Sequence, residues 1–241
     1  MRKLLALSIV MAVAATASAA IWTDNFDSYA DQAAFDAVYT QIYPATPMVL
    51  DQTVGYSGTQ SINPPAPNVN YTCRAYMNLG GEFAGSDAAP LTFETMIMIN
   101  DATDWWSREY LEIRGYTGAG YGDGDLEELI ALGVNSSGVD TTKFNARVLS
   151  GDNWIDLSEK VAEEWVKLSA VIKTDTVELY VNDVLANSSP RAAGVTLDSI
   201  VLGSGLSSRV DVHFDDLNIV PEPAALSLLA VGGLALLRRR R

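Results

Sequence analysis

The stretch WVKLSAVIKTDTVELYVND, Trp165 to Asp183, leaves few folds open. Val166, Leu168, Ala170 and Ile172 share one side of an extended chain, with Trp165, Lys167, Ser169 and Lys173 on the other. Val177, Leu179 and Val181 then alternate with Glu178, Tyr180 and Asn182. A side-chain period of two belongs to β-strands with one face in a core and the other in water. Thr174-Asp175 makes a short hairpin connection, and Asn182-Asp183 is a favoured turn pair before Val184-Leu185.

The same pattern recurs along the chain at Leu91–Asn100, Arg108–Tyr116, Leu126–Asn135, Lys143–Ser150, Ser199–Gly205 and Val210–Val220. Helical signals are confined to Asp31–Tyr39, where Ala34, Phe35 and Val38 fall on one side, and to Ser158–Trp165, with Ser158 as N-cap. Asn63–Asn70 carries three prolines and reads as a surface loop or a sheet-edge crossing. Many strands and few helices over this length predict one all-β domain, an antiparallel β-sandwich of jelly-roll type.

Both ends fall outside that domain. Arg2 and Lys3, the apolar run LLALSIVMAVAA and the small residues Ala17-Ser18-Ala19 read as a cleaved signal peptide over 1–20. The body spans 21–220. The segment 221–241 opens with Pro221, Glu222 and Pro223, continues in the apolar run Ala224–Leu237 and closes with Arg238–Arg241. As a helix that run rises about 21 Å, short of a hydrocarbon core, so it seats only transiently in a membrane. Its arginines favour the cytoplasmic side. The two prolines hold Glu222 extended and accessible.

Without these ends, the body carries 10 bases against 29 acids. Such a surface repels phosphate backbones, so nucleic acid is excluded as a partner. The single cysteine, Cys73, allows no intrachain disulfide. His213 is the only histidine, which rules out a histidine-rich metal site and leaves a Ser-His-Asp triad no other choice of base.

Two constellations remain as candidate sites. Asp24 near the start and Asp215 and Asp216 near the end could share a calcium ion if the terminal strands are neighbours; GDGD, Gly122–Asp125, is a weaker second place. Calcium takes six to eight oxygens, which carboxylates and loop carbonyls supply. The aromatic residues Trp105, Trp106, Tyr116, Tyr121 and Trp154 lie in or beside Gly- and Asp-rich segments. Such rings can stack on the C–H faces of sugars, while Asp and Asn bind hydroxyls.

Several stretches in order resemble the concanavalin A-like, laminin-G-like jelly rolls of bacterial surface proteins. They are DNFDSYAD (Asp24–Asp31), GYSGTQSI (Gly55–Ile62), EEWVKLSAVIKTDTVELYVNDVL with Asp183 where glycine is commoner, and VHFDDLNIV (Val212–Val220). The resemblance implies a last strand lying beside the first. It covers both glycan-binding modules and glucanases. Glucanases of this fold use E-x-D-x-x-E on one strand, and the nearest match here, from Glu112, has Arg114 and Thr117 in place of the second and third acids.

The tail resembles the PEP-CTERM sorting signal of Gram-negative bacteria that make exopolysaccharide, which implies an exosortase-type membrane protease as partner. The expectation is an exported, non-catalytic cell-surface or extracellular-matrix module that binds polysaccharide, with calcium as its only candidate cofactor. The alternatives are a structural matrix protein without a ligand, or a glycoside hydrolase.

Overall fold

The computed structural model describes residues 20–64, 72–103, 108–137, 139–203 and 212–221. The expected signal peptide up to residue 19, Trp105 and Trp106, most of the proline-rich loop, and the tail from Glu222 onward lie outside the described residues. The first elements are β1 (Trp22–Asp24), the one-turn helix α1 (Gln32–Asp36), β2 (Thr40–Gln41), β3 (Val49–Asp51) and β4 (Ser61–Asn63). The longer strands β5 (Ala75–Phe83), β6 (Leu91–Ile99), β7 (Glu109–Tyr116), β8 (Leu126–Val134), β9 (Lys143–Val148) and β10 (Asn153–Glu159) follow. The chain continues with β11 (Val166–Ile172), β12 (Thr176–Val181), β13 (Val184–Pro190), β14 (Leu197–Leu202) and β15 (Val212–Pro221).

These strands form two antiparallel sheets. The first has the order β13-β12-β11-β6-β15-β4-β3, with β1 also on β15; the second has the order β10-β9-β8-β7-β14-β5-β2. Non-consecutive neighbours such as β6 and β15 place chain-distant strands side by side, as in a jelly roll. The body is the expected all-β antiparallel sandwich.

The alternation is realised as read. Val166, Leu168, Ala170 and Ile172 of β11 and Val177 and Leu179 of β12 point into the core, joined there by Phe93 and Ile97 of β6. Ile113, Ile130, Leu132 and Phe144 supply the facing layer from the second sheet. Asn182 and Asp183 have φ of 48° and 64°, the left-handed pair that a tight hairpin turn needs. Asp31 caps α1 by accepting a hydrogen bond from Ala34 N at 2.9 Å.

Ser158–Trp165, expected to be helical, is not. β10 runs on to Glu159, which pairs with Lys143. The chain then turns, with Lys160 N donating to Thr142 O and Glu163 N donating to Ile99 O. Pairing on both sides outcompetes the local capping signal, because Thr142, just before β9, and Ile99 of β6 offer carbonyls where a helix would have to make its own ladder.

Candidate functional site

Strand β7 is buried on both sides. Leu111 and Ile113 belong to the core, so Tyr110, Glu112, Arg114 and Tyr116 project from the opposite, outer face of the second sheet. Cross-strand register brings further residues to this face. Leu129 and Ala131 lie opposite Arg114 and Glu112, Arg147 lies opposite Ala131, and Trp154 lies opposite Arg147. On the other side, Ser199 and Val201 of β14 lie opposite Arg114 and Glu112, with Asn78 and Tyr76 of β5 beyond them.

The face carries two aromatic groups. In the first, Tyr121 stacks on Tyr76 with ring centroids 4.4 Å apart and meets Tyr116 edge-on at 5.7 Å. The Arg114 guanidinium lies 5.6 Å from the Tyr121 centroid. In the second, Trp154 packs on Tyr110 at 5.1 Å, with Arg147 at 5.4 Å over the indole. Tyr76, Tyr121 and Trp154 are half-buried, whereas Tyr110 and Tyr116 are buried and act as supports. Of the five aromatic candidates, the fold thus brings Tyr116, Tyr121 and Trp154 to one face. Tyr76, whose partner Tyr121 lies far away in sequence, carried no local signal.

Between the two groups, Arg114 Nε donates to Glu112 Oε2 at 2.6 Å, and Nη1 donates to the Tyr116 hydroxyl at 3.0 Å. Burial works against the Arg114 charge, but Glu112 beside it and Tyr116 more than offset this and hold its pKa above the usual guanidinium value. Burial also pushes the Tyr116 phenol up, against the pull of Arg114. Glu112, the one carboxylate matching the glucanase pattern, is therefore engaged by a fixed cation.

The loop bearing Tyr121 is built by the residues of the GDGD segment. Thr117 N donates to Asp125 O, Gly118 N to Asp123 O, and Ala119 N to Asp123 Oδ2. Gly124 has φ +80°, and a Cβ there would lie 2.1 Å from Thr117 Oγ1. Tyr121 N donates to Asn78 Oδ1 at 2.9 Å, which fixes the loop to β5. Asp123 holds the turn through both its backbone and its side-chain oxygens.

At the far edge, β1 pairs with β15, so the terminal strands are neighbours as expected. The acids there do not form a cation cage. Asp24 accepts from Phe26 N through Oδ1, and from the Tyr29 and Tyr39 hydroxyls at 2.5 and 2.9 Å through Oδ2. Burial, reinforced by Asp24, holds both phenols far above the tyrosine range. Asp215 accepts from Tyr56 N, Ser57 N and Asp216 N, and Asp216 accepts from Ser57 Oγ. Burial pushes the Asp215 carboxyl up to about 6 despite these donors. Oxygens already committed to N–H and O–H donors do not fit a calcium ion, and no cluster of three or more His, Cys, Asp or Glu suited to a metal occurs among the described residues. Hydrogen bonds join the two ends of the body.

His213 is a buried strand histidine. Ser61 Oγ at 3.0 Å and Asp51 Oδ2 at 3.9 Å both lie at its Nδ1, whereas a triad needs nucleophile and acid on opposite ring nitrogens.

No protein-family model matches the sequence, and no curated protein matches it. Solved structures are similar in fold. The globular domain of T. cruzi calreticulin superposes with a TM-score of 0.56 at 8% identity, covering 92% of this chain and 100% of that one. The carbohydrate recognition domain of Emp46p gives 0.51 at 10% identity, over 84% of this chain and 97% of its own. Bacillus licheniformis β-glucanase gives 0.51 at 12% identity, over 83% and 97%. The body is a jelly roll. At these identities the likeness is one of architecture, and the jelly roll's activity has to be argued from its own side chains.

Proposed function

We propose that this chain is an exported surface or matrix protein whose jelly-roll body binds polysaccharide, without cutting it, on the outer face of the second sheet. The observation that carries this reading is the Tyr76–Tyr121 stack, half-buried and pinned by Asn78 and Arg114. Fixed rings lose little entropy on meeting a flat apolar sugar face, while Asn78 and the half-buried Arg147 of the same sheet offer polar contacts. The order of strand motifs and the tail residues Pro221, Glu222 and Pro223 support a secreted route ending at an exosortase-type protease, with Ala224–Leu237 holding the chain at the inner membrane until then.

Intrinsic fluorescence titrated with a panel of polysaccharides tests the binding. We expect saturable change with at least one of them, weakened about tenfold by Tyr121→Ala; a flat response across the panel overturns the reading. Mass spectrometry of cell-derived protein tests the sorting, and retention of Arg241 overturns it.

A further inference from the structure

Beside the Tyr76–Tyr121 stack the second sheet opens. The β14–β5 register passes from Leu197↔Phe83 to Ser199↔Asn78, so Asp198 alone stands opposite Leu79, Gly80, Gly81 and Glu82. Gly80 has φ +72°, which lets β5 bow away from its neighbour. The gap is a depression of about 410 Å³ lined by Asn78, Gly80, Gly81, Glu82, Ala119 and Asp198. Small-molecule sites fall in the range of about 300–1,000 Å³.

One wall of the depression is chemically incomplete. Asp198 is 3% exposed, and its Oδ2 accepts from Tyr116 N at 3.0 Å, replacing a ladder bond where the β7–β8 register also slips. Its Oδ1 has no hydrogen-bond partner. No salt bridge among the described residues reaches it. A buried carboxylate oxygen left without a donor is costly, and a ligand that brings one recovers that cost on binding. Glu82, on the same rim, is exposed and adds a second negative charge.

We infer that this depression is the subsite that selects neutral, hydroxyl-rich sugars against uronates. The inference rests on the polysaccharide reading above and deepens it. A sugar lying on Tyr121 and Tyr76 reaches Asn78, the residue that both pins Tyr121 and lines the depression, and from there presents a hydroxyl to the Asp198 carboxylate, which has to turn its Oδ1, closed to water in the free protein, toward the opening. A uronate would bring its carboxylate to Asp198 and Glu82 at once, with no cation to separate the charges. The donor is then a sugar hydroxyl, and no proton or bond is exchanged.

Calorimetric titration of the full-length protein with neutral hexasaccharides of glucose, mannose and galactose, and with hexauronates, tests this. We expect the best neutral ligand to bind at least tenfold tighter than any uronate, and Asp198→Asn to weaken it about tenfold. Glu82→Gln should narrow the gap to uronates, as should raised salt. Equal or tighter uronate binding overturns the inference, as does unchanged neutral binding in folded Asp198→Asn. Loss of binding in EDTA also overturns it, because the depression would then hold a cation. If Asp198→Asn does not fold, Glu82→Gln decides, and an unaltered gap sinks the idea. Neutral binding that responds to Tyr121→Ala but not to Asp198→Asn removes this subsite alone, whereas no binding to any sugar removes the polysaccharide reading with it.

Discussion

Asp24 and Asp198 are both buried carboxylates at strand ends, yet they are finished differently. Asp24, at the β1–β15 edge, has a donor on each oxygen: an amide on Oδ1 and two phenols on Oδ2, with the Trp22 indole donating to the second of those phenols. Asp198, at the opening between β14 and β5, keeps one oxygen without a donor. A polar group that finds all its partners within the chain contributes to the fold, and one left short of a partner is available to something outside it. The same residue type thus marks a closure at one place and a receptor at the other.

The sharpest way to break this comparison is to empty the closed site. Asp24→Ala leaves two phenols and an amide without an acceptor, and we expect a loss of about 3–5 kcal/mol in denaturant unfolding. A loss below 1 kcal/mol would mean that the edge is not held this way.

Asp215 gives the next largest effect, through pH. Its carboxyl is raised to about 6 in the fold, so the folded protein keeps that proton at pH values where the unfolded chain has lost it. This group's contribution is therefore most favourable below about pH 4 and declines as pH rises to about 6, by on the order of 2 kcal/mol. The stability difference between the wild-type protein and Asp215→Asn, followed from pH 4 to 7, isolates it; a difference independent of pH contradicts the assignment.

Tyr121→Ala touches the open site. It should cost about 1.4 kcal/mol of sugar affinity, or tenfold, while leaving the unfolding midpoint nearly unchanged. A large drop in the midpoint would make Tyr121 part of the closure instead. The smallest effect belongs to a place that is neither closed nor open. Glu178, hydrogen-bonded to Lys173 and Tyr180 on the wet face of the first sheet, has its pKa lowered by those bonds. Its contribution is present at neutral pH and lost as pH falls through its folded value, and Glu178→Gln should cost less than about 1 kcal/mol in the same unfolding measurement.

The parts of this molecule that were legible in the sequence are those set by local rules. The period of two in β11 and β12 and the Asn182-Asp183 turn each need only neighbouring residues, and each stands as read. The neighbouring terminal strands followed from the resemblance of their motifs. What escaped depends on distant pairing. Ser158 carries a cap signal, but Lys143, far upstream, decides that the chain there is a strand. Asp24 looked like a metal ligand because nothing in DNFDSYAD announces that Tyr29 and Tyr39 will fold back onto it. Asp198 is one acid in a plain β-run, and its singularity appears only once β5 bows out opposite it. Gly80-Gly81 within a strand was the available hint, since paired glycines in a strand mark a bulge.

β15 stays zipped to β6 as far as Pro221, which lies opposite Leu91. On the sorting route proposed above, only Glu222 and Pro223 then separate the sandwich from the apolar run, a leash of about 10 Å at full stretch. A body with 10 bases against 29 acids would hang that close to anionic headgroups, pushed away from the very bilayer that tethers it. Severing the leash would let that stored repulsion carry the domain outward.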